Sequence, residues 1–354
     1  MSLPTTMKAL VENDAETGGV VSNNVPVPTL QAGDILVKVS YAGQNPTDWK
    51  HAAYISKAGD ILGCDFAGVV AHVQDGEARV KVGDRVAGSV HGGKFKDRGS
   101  YAEYLRVPAD LVWKVPDSVQ LQDAAALGVA LGTSIQAIIQ SQGNPFPPAN
   151  VDRWYFIYGG STGVGLVATK LAKLIGFKVA TVASPRNFDL VKSYGADEVF
   201  DYREGADAVV ANVLRVTGGG VTQALDTISE GESQAISARV FAPAGGQLNL
   251  TLVPDATVAA AHPNIKFVPK LMYTWMSQEP FDIAPRFAKQ PVVVPVIPGD
   301  REFYAKALTH YTDLVERGVR PPPVVLRGGL DDVLAGFKDM ADGKVSGERY
   351  VYKL

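Results

Sequence analysis

Residues 154–165 decide the fold of this chain, and their sequence is WYFIYGGSTGVG. The apolar run at 154–158 is typical of a buried strand, and a cluster of glycines follows it directly. The next stretch, 166–175, has the apolar periodicity of a helix, with Lys170 and Lys173 facing outward. A strand, a glycine turn and a helix form the first half of a dinucleotide-binding βαβ unit, because glycines let the backbone approach a pyrophosphate closely. The spacing is not the strict G-x-G-x-x-G, so an ordinary tight turn remains an alternative.

A second apolar strand is predicted at 178–183, and it ends about 20 residues beyond the glycines, where NAD-binding folds place an acidic residue. This chain has Ser184, Pro185, Arg186 and Asn187 there, with no carboxylate among them. A guanidinium suits the 2′-phosphate of NADP(H), so the stretch favours that cofactor. Ser184 before Pro185 is also a good start for a helix, and the two interpretations are compatible.

The composition bounds the class of protein. A length of 354 residues suggests two domains, and 20% charged with 46% hydrophobic residues is ordinary for a globular protein. A net charge of −3 argues against binding to nucleic acid or to a membrane surface. Cys64 is the single cysteine, which excludes an internal disulfide and a four-cysteine zinc site. No signal peptide or apolar run of transmembrane length is apparent, so we expect a soluble, cytoplasmic protein.

The first part of the chain, to about residue 125, is rich in strand patterns. Short alternating segments predict strands at 7–11, 33–40, 68–73, 84–88 and 101–105. Strands this short and regular predict a small barrel.

Helix and strand patterns alternate from residue 121 onward. A helix is predicted over 121–140, with a kink at Gly132. Further strands are predicted at 198–200, 224–228 and 247–251, with helices between them. This alternation predicts a doubly wound parallel sheet, so the fold class is α/β.

The segment 267–298 lacks clean periodicity and is rich in aromatic residues, methionine and proline. Its side chains are equally compatible with a pocket for an apolar substrate and with a cap on the edge of the sheet. A helix at 303–317 and a strand–helix–strand tail that ends at Leu354 are expected to return to the first domain.

Several short motifs occur in a fixed order along the chain. They are 45–50 (NPTDWK), 63–68 (GCDFAG), 82–86 (VGDRV), 99–103 (GSYAE), 132–133 (GT), the glycine turn and 343–348 (GKVSGE). Together they resemble the medium-chain dehydrogenase/reductase family, most of all its zinc-independent quinone-oxidoreductase branch. Within that branch, 184–187 (SPRN), 226–229 (DTIS) and the tail look like fungal trans-acting enoyl reductases of the lovastatin type, which serve polyketide synthases.

The resemblance implies two domains. A GroES-like β-barrel catalytic domain would comprise residues 1–125 and 301–354, and a Rossmann NADP-binding domain would comprise 126–300. The zinc-dependent members carry Cys, His and Cys as catalytic ligands, and alignment on the motifs places Asn45, Cys64 and Val129 at those positions. One possible ligand cannot hold zinc, so no metal is expected. His51, His72 and His91 have no ligand spacing and are expected to be surface or core residues.

Without a Lewis acid, the expected reaction is hydride transfer to the C=C of an α,β-unsaturated carbonyl, with an enolate as the developing charge. By the resemblance, Lys50 would orient the cofactor or stabilise the enolate, and Thr133 would pack against the nicotinamide. A solvated lysine and a hydroxyl bonded to its own helix are the plain alternatives. Tyr54 is a weaker candidate for the acid and is more simply a packing residue.

The resemblance also implies the binding residues. The cofactor set is Thr47, Asp48, Trp49, Lys50, Gly160, Ser161, Thr162, Gly163, Val164, Ser184, Pro185, Arg186, Asn187, Tyr202, Leu252, Val253, Val345 and Ser346. The substrate set is Thr133, Ser134, Ile135, Gln136, Ala137, Met272, Tyr273, Trp275 and Met276.

Three functions fit the sequence. The first is an NADPH-dependent enoyl reductase that acts on a carrier-bound polyketide or a free enone, with a polyketide synthase as a possible partner. The second is a general quinone or enone reductase with no synthase partner. The third is a dinucleotide-binding protein without turnover. A monomer and a homodimer are both compatible with the sequence.

Overall fold

The structure is a computed structural model, and it describes residues 3–13, 15, 18–74, 79–277, 279–283 and 292–354. The chain divides into two compact units. The first comprises Met1–Val129, Tyr273–Asp313 and Pro323–Leu354, and the second comprises Ala130–Met272 and Leu314–Pro322. The domain boundaries at residues 126 and 300 stay a prediction.

The elements of the N-terminal part are β1 (Thr6–Glu12), β2 (Gly19–Pro26), β3 (Asp34–Gly43), α1 (Pro46–Tyr54), β4 (Asp65–Val73), β5 (Arg85–Ser89), β6 (Tyr104–Pro108), β7 (Val112–Lys114) and α2 (Leu121–Ala124). The central elements are α3 (Gly128–Ile135), β8 (Trp154–Tyr158), α4 (Gly163–Ile175), β9 (Lys178–Ala183), α5 (Phe188–Ser193), β10 (Glu198–Asp201), α6 (Ala206–Thr217), β11 (Gln223–Asp226), α7 (Ser233–Arg239), β12 (Gly246–Leu250), α8 (Ala256–Ala261) and β13 (Ile265–Pro269). The C-terminal elements are β14 (Phe281–Ile283), β15 (Val292–Val294), α9 (Asp300–Leu308), α10 (Tyr311–Glu316), β16 (Val324–Arg327), α11 (Val333–Ala341) and β17 (Arg349–Lys353).

The first unit is built on a seven-stranded sheet in the order β16-β17-β3-β4-β5-β7, with β6 also paired to β3. The last strand, β17, lies antiparallel to β3, with Val351 opposite Gly43. Leu10, Tyr101 and Tyr352 are fully buried in one core cluster with residues of α11. The C-terminal tail therefore does complete the sheet that the N-terminal strands begin, as the sequence predicted.

The second unit contains a six-stranded parallel sheet in the order β10-β9-β8-β11-β12-β13. Each of its strands contributes apolar side chains, as expected where helices cover both faces of a doubly wound sheet. Phe156, Val182 and Leu248 lie fully buried in its main core cluster. The predicted α/β fold with a doubly wound parallel sheet is confirmed.

The helix predicted over 121–140 is broken, and the kink predicted at Gly132 is wrong. The chain turns at 125–127, Gly132 lies within α3, and a π-helical segment, Gln136–Ser141, follows. The break has a steric reason. A Cβ on Gly128 would lie 2.2 Å from Ser89 Oγ and 2.4 Å from Asp65 Oδ1, so α3 starts where the chain must pass close to buried side chains.

The helix predicted at 303–317 is divided into α9 and α10. Thr309 Oγ1 donates to Lys306 O at 2.7 Å, and such a bond competes with helix continuation. The strand predicted at 101–105 begins later, at Tyr104, while Ala102 forms an isolated bridge with Ala9.

The aperiodic segment 267–298 includes residues 278 and 284–291, which lie outside the described residues. Its described part contains the end of β13, a 3-10 turn at Met272–Trp275, and the strands β14 and β15. Within the described residues, no helix has the length and apolar character needed to cross a membrane.

Candidate active site

Helix α1 carries the residues predicted to act in the first unit. Asn45 is its N-cap, Pro46 occupies the first helical position, and Asp48 Oδ2 accepts a hydrogen bond from Asn45 N at 2.6 Å. Proline at this position and an acidic residue in the first turn both favour helix initiation. The helix presents Thr47 and Lys50 one turn apart, as residues at i and i+3 share a face.

Thr47 joins two aromatic side chains by hydrogen bonds. Its Oγ1 lies 2.6 Å from Tyr273 Oη and 3.2 Å from His51 Nε2. His51 Nδ1 lies 2.9 Å from Gly92 O, and a carbonyl only accepts, so Nδ1 carries the proton. Burial lowers the pKa of His51 to about 4, which keeps the imidazole neutral near pH 7. Nε2 therefore accepts from Thr47, and Thr47 in turn accepts from Tyr273.

Tyr273 is enclosed by buried groups. Its ring stacks on His91 with centroids 3.7 Å apart, and its hydroxyl lies 3.4 Å from Cys64 Sγ. Burial raises the pKa of Tyr273 well above its usual value of 10. The tyrosine therefore stays protonated and has its proton directed towards Thr47. His51 and His91 are core residues here, as predicted, while His72 is exposed.

Asp48 is a buried carboxyl close to this group. Burial raises its pKa to about 7, against the opposing effect of the Asn45 N–H bond. Tyr101 Oη also donates to Asp48 Oδ2 at 3.2 Å. Asp48 is thus a buried side chain that caps the start of α1 by accepting the hydrogen bond from Asn45 N.

Lys50 lies beside an aromatic pair. Its Nζ is 5.8 Å from the centroid of the Trp49 ring, and Trp49 contacts Tyr54 edge to face at 6.2 Å. Tyr54 is 41% exposed, so it covers part of the surface of α1. Val345 and Ser346, which lie between α11 and β17 in the same unit, are half-buried.

The glycine turn of the second unit has the features of an anion cradle. Gly159 has a φ of +83°, and a Cβ on Gly160 would lie 2.3 Å from Thr181 Oγ1. Thr162 caps α4 by accepting from Gly165 N at 2.9 Å. The N–H groups that open this 13-residue helix suit a phosphate. The turn includes the predicted Ser161, Gly163 and Val164.

The segment after β9 also follows the prediction in position. Ser184 precedes a 3-10 turn at Pro185–Asn187, but its side chain makes no capping bond, and only Asn187 Nδ2 approaches its Oγ, at 3.4 Å. Ser184 is therefore the N-cap of this turn and Pro185 its first residue, as predicted, although the Ser184 side chain makes no capping bond. Arg186 is exposed at this turn.

Two further predicted cofactor segments follow strands of the same sheet. Tyr202 follows β10 and is 46% exposed, and Leu252 and Val253 follow β12 with Val253 79% exposed. The carboxyl ends of parallel strands share one edge, where ligands bind in open α/β sheets. The structure brings these segments to the same edge as the glycine turn and Ser184.

The predicted substrate residues are mostly buried. Thr133 and Ser134 lie in α3, and Ser134 Oγ donates to Ala130 O at 2.7 Å, the helix-backbone bond considered for Thr133. Ile135, Gln136, Ala137 and Met272 are also buried, and Met276 is half-buried. Trp275 is fully buried and stacks on Tyr304 at 4.8 Å, which gives it a packing role in the core of the first unit.

Comparison with known proteins accounts for both units. The alcohol dehydrogenase GroES-like domain matches residues 31–117, and the family described as zinc-binding dehydrogenase matches 163–280. A trans-enoyl reductase of Alternaria alternata is 38% identical over 99% of each chain, and one of Macrophomina phaseolina is also 38% identical over 99% of each. The chain belongs to the medium-chain dehydrogenase/reductase family. A mycobacterial protein solved with NADPH shares the fold, with 22% identity, a TM-score of 0.75 and coverage of 98% of this chain and 100% of that one.

In this medium-chain dehydrogenase/reductase, the three positions aligned with catalytic zinc ligands have other contacts. Asn45 Nδ2 donates to Asp65 Oδ2 at 3.0 Å, and its Oδ1 accepts from Arg349. Burial raises the pKa of the Cys64 thiol well above its usual value, and the Val129 side chain has no ligand atom, while its backbone N–H donates to Asp65 at 2.8 Å. Among the residues that the structure describes, no group of three or more His, Cys, Asp or Glu side chains is placed to hold a metal ion.

Sequence reasoning missed several residues of this arrangement. His51 was interpreted only as a core or surface residue, whereas it orients Thr47. Asp65 and Arg349 were not singled out, although both are buried charges beside Asn45. The signal for Asp65 was available, since it is an acidic residue at the start of an otherwise apolar strand.

Proposed function

We propose that this protein is an NADPH-dependent enoyl reductase that transfers a hydride to the C=C of an α,β-unsaturated carbonyl without zinc. The observation that carries the proposal is that both polar atoms of the Asn45 side chain are engaged in hydrogen bonds. Its amide is shared between Asp65 and Arg349, at a position where zinc-dependent relatives place a thiolate. An activated alkene needs no Lewis acid, because its own carbonyl accepts the electrons. The two 38% identical relatives are named trans-enoyl reductases, which supports the same reaction.

The residues of the second unit fit NADP(H). The turn at Gly159 and Gly160 packs so closely on Thr227 and Thr181 that a Cβ would not fit, and the start of α4 offers its N–H groups to a pyrophosphate. Arg186 and Ser184 would bind the 2′-phosphate. The bound cofactor supplies the hydride from the nicotinamide C4. The mycobacterial protein of the same fold was solved with NADPH.

The residues of the first unit would orient the cofactor and stabilise the negative charge that develops on the enolate oxygen. Lys50 is our choice to stabilise the enolate oxygen or to orient the nicotinamide ribose. Thr47 presents an oxygen lone pair because its own proton is directed to His51. Tyr273 is directed towards Thr47 and its pKa is raised, so it is a poor proton donor in this arrangement.

The polyketide synthase partner, the cytoplasmic location and the domain boundaries remain parts of the proposal. A general enone or quinone reductase and a binding protein without turnover are the competing functions. They differ in what the purified protein reduces.

The test is NADPH oxidation with an α,β-unsaturated thioester, a free enone, a quinone and a saturated ketone. We expect reduction of the thioester or enone with the carbonyl intact, and no reaction with the saturated ketone. Stereospecifically deuterated NADPH should place deuterium on the β-carbon. Deuterium on a carbonyl carbon would show a carbonyl reductase, and tight NADPH binding without turnover on any acceptor would show the binding protein.

A further inference from the structure

Arg349 is a buried cation on the last strand, and its guanidinium contacts the two residues before α1. Its Nη1 donates to Gln44 O at 2.8 Å and to Asn45 Oδ1. The residue is 4% exposed, so these bonds form away from water. A guanidinium is a rigid, planar donor and fixes the acceptors that it contacts.

The same two amides are held from other directions. Tyr352, also on β17, donates its hydroxyl to Gln44 Oε1, and Gln44 Nε2 donates to Gly336 O at 2.8 Å. Asn45 Nδ2 donates to Asp65 Oδ2 at 3.0 Å. Both side-chain amides therefore have their oxygen and nitrogen atoms assigned to defined partners. The C-terminal strand thereby fixes the backbone immediately before the helix.

Asp65 makes the charge of Arg349 necessary. This carboxylate is fully buried, where it accepts from Ser89 Oγ at 2.7 Å and from Val129 N at 2.8 Å. Burial raises the pKa of Asp65, and the charge of Arg349 opposes that rise. A buried carboxylate that loses its cation is strongly destabilised. Arg349 therefore supplies both a donor and a compensating charge at this point.

Helix α1 depends on this anchor because it is only nine residues long and starts at the residue after Asn45. Thr47 and Lys50 lie in its first turns. We infer that Arg349 is a positioning residue, which fixes the start of α1 and through it the orientation of Thr47 and Lys50. The inference rests on the proposed function for its effect on turnover, but the effect on α1 is independent of it.

Three variants test this role. Arg349→Met removes the charge and the donors, Arg349→Lys keeps the charge and one donor group, and Arg327→Met is the matched control. Arg327 lies on the neighbouring strand β16, where its guanidinium is 4.6 Å from the Tyr350 ring and 3.6 Å from Asp339 Oδ2.

Turnover is measured per NADPH-binding site, so that unfolded protein does not count. We expect Arg349→Met to lower kcat by about tenfold to a hundredfold with little change in KM for the enoyl substrate, because misorientation acts on the reacting geometry. Arg349→Lys should recover a large part of kcat, and Arg327→Met should match the wild type. A merely structural role would lower the number of sites without changing kcat per site.

Hydrogen exchange gives a readout without any substrate. In Arg349→Met, peptides that cover residues 44–54 should exchange faster than in the wild type, while those of α4 keep their protection. If amide exchange in Arg349→Met is faster than in the wild type throughout the chain, Arg349→Lys is the variant that tests the inference. In Arg349→Lys we expect exchange faster than in the wild type only at residues 44–54. Wild-type exchange at 44–54 together with wild-type kcat in a folded Arg349 variant would overturn the inference.

Failure of the wild type to reduce any enoyl substrate would refute the proposed function and leave the exchange result to decide the role of Arg349.

Discussion

Tyr273 Oη lies 2.6 Å from Thr47 Oγ1, although the two residues are 226 positions apart in the chain. Thr47 lies in the first turn of a short helix, and Tyr273 lies in a 3-10 turn after the last strand of the parallel sheet. The neutral imidazole of His51 determines the direction of the hydrogen bond between them. The hydroxyl of Thr47 is thus oriented by its neighbours before any ligand binds.

Thr47→Val should destabilise the protein more than Tyr273→Phe. The valine keeps the shape of the threonine but leaves the acceptor of His51 and the hydroxyl of Tyr273 without this partner. We expect a loss of about 1–3 kcal/mol of unfolding free energy for Thr47→Val and about 1 kcal/mol for Tyr273→Phe, measured by urea denaturation. The order of the two losses is the test, and a reversed order would contradict the assigned direction of the bonds.

Asp48 should make stability depend on pH. Burial raises its pKa from 3.8 to about 7 in the folded protein, so the folded state favours the protonated carboxyl. Its contribution is fully present below pH 3.8 and is lost as the pH rises through about 7. Asp48→Asn stays neutral, so its unfolding free energy relative to the wild type should increase between about pH 4 and pH 7. A difference that stays constant over this range would show that Asp48 titrates normally.

Arg186→Ala should weaken the use of NADPH and leave NADH almost unchanged. The exposed guanidinium is placed after β9, where a 2′-phosphate is expected, and loss of a charge-assisted contact costs on the order of 1.5–3 kcal/mol. The Michaelis constants for both cofactors, or their dissociation constants by nucleotide fluorescence, measure the effect. Equal losses with NADPH and NADH would place the phosphate elsewhere.

Lys50→Ala should lower kcat with an enoyl thioester by about a hundredfold while the circular dichroism spectrum stays the same, because a charge near a developing enolate acts mainly in the transition state. Lys57→Ala is the matched control, since Lys57 lies just beyond α1 and its side chain is 62% exposed. We expect wild-type kcat for the control. Similar rates in both variants would remove Lys50 from the catalytic set.

The purified protein should contain no stoichiometric zinc, and a chelator should leave its rate unchanged. Asn45 is committed to Asp65 and Arg349, and a buried thiol with a raised pKa is a poor metal ligand. Elemental analysis by mass spectrometry is the measurement. One tightly bound zinc per chain would overturn the assignment of Asn45, Cys64 and Val129.

Local sequence was sufficient to predict the central part of the second unit, from β8 to β9. The apolar run before the glycines, the glycine turn and the periodic stretch after it gave the correct order of β8 and α4, because these patterns depend on neighbours in the chain. The strand at Lys178–Ala183 was predicted to the residue. The motifs also indicated the correct family, because short motifs and their order can be read from the sequence without knowing which residues are in contact.

The tertiary structure alone decided how the site is held together. No local pattern in the sequence predicts the π-helical segment at Gln136–Ser141. The hydrogen bonds of Thr47 with Tyr273 and of Arg349 with Asn45 join distant segments, and their pairing has no local signature either. Hydrogen bonds between residues about 220 to 300 positions apart form only where the packed elements bring those residues together. The periodicity of apolar residues indicates the buried face of a single helix or strand and does not indicate its partner. The sequence therefore determined which elements form and which family they build, and packing determined which side chains meet and in which direction their protons point.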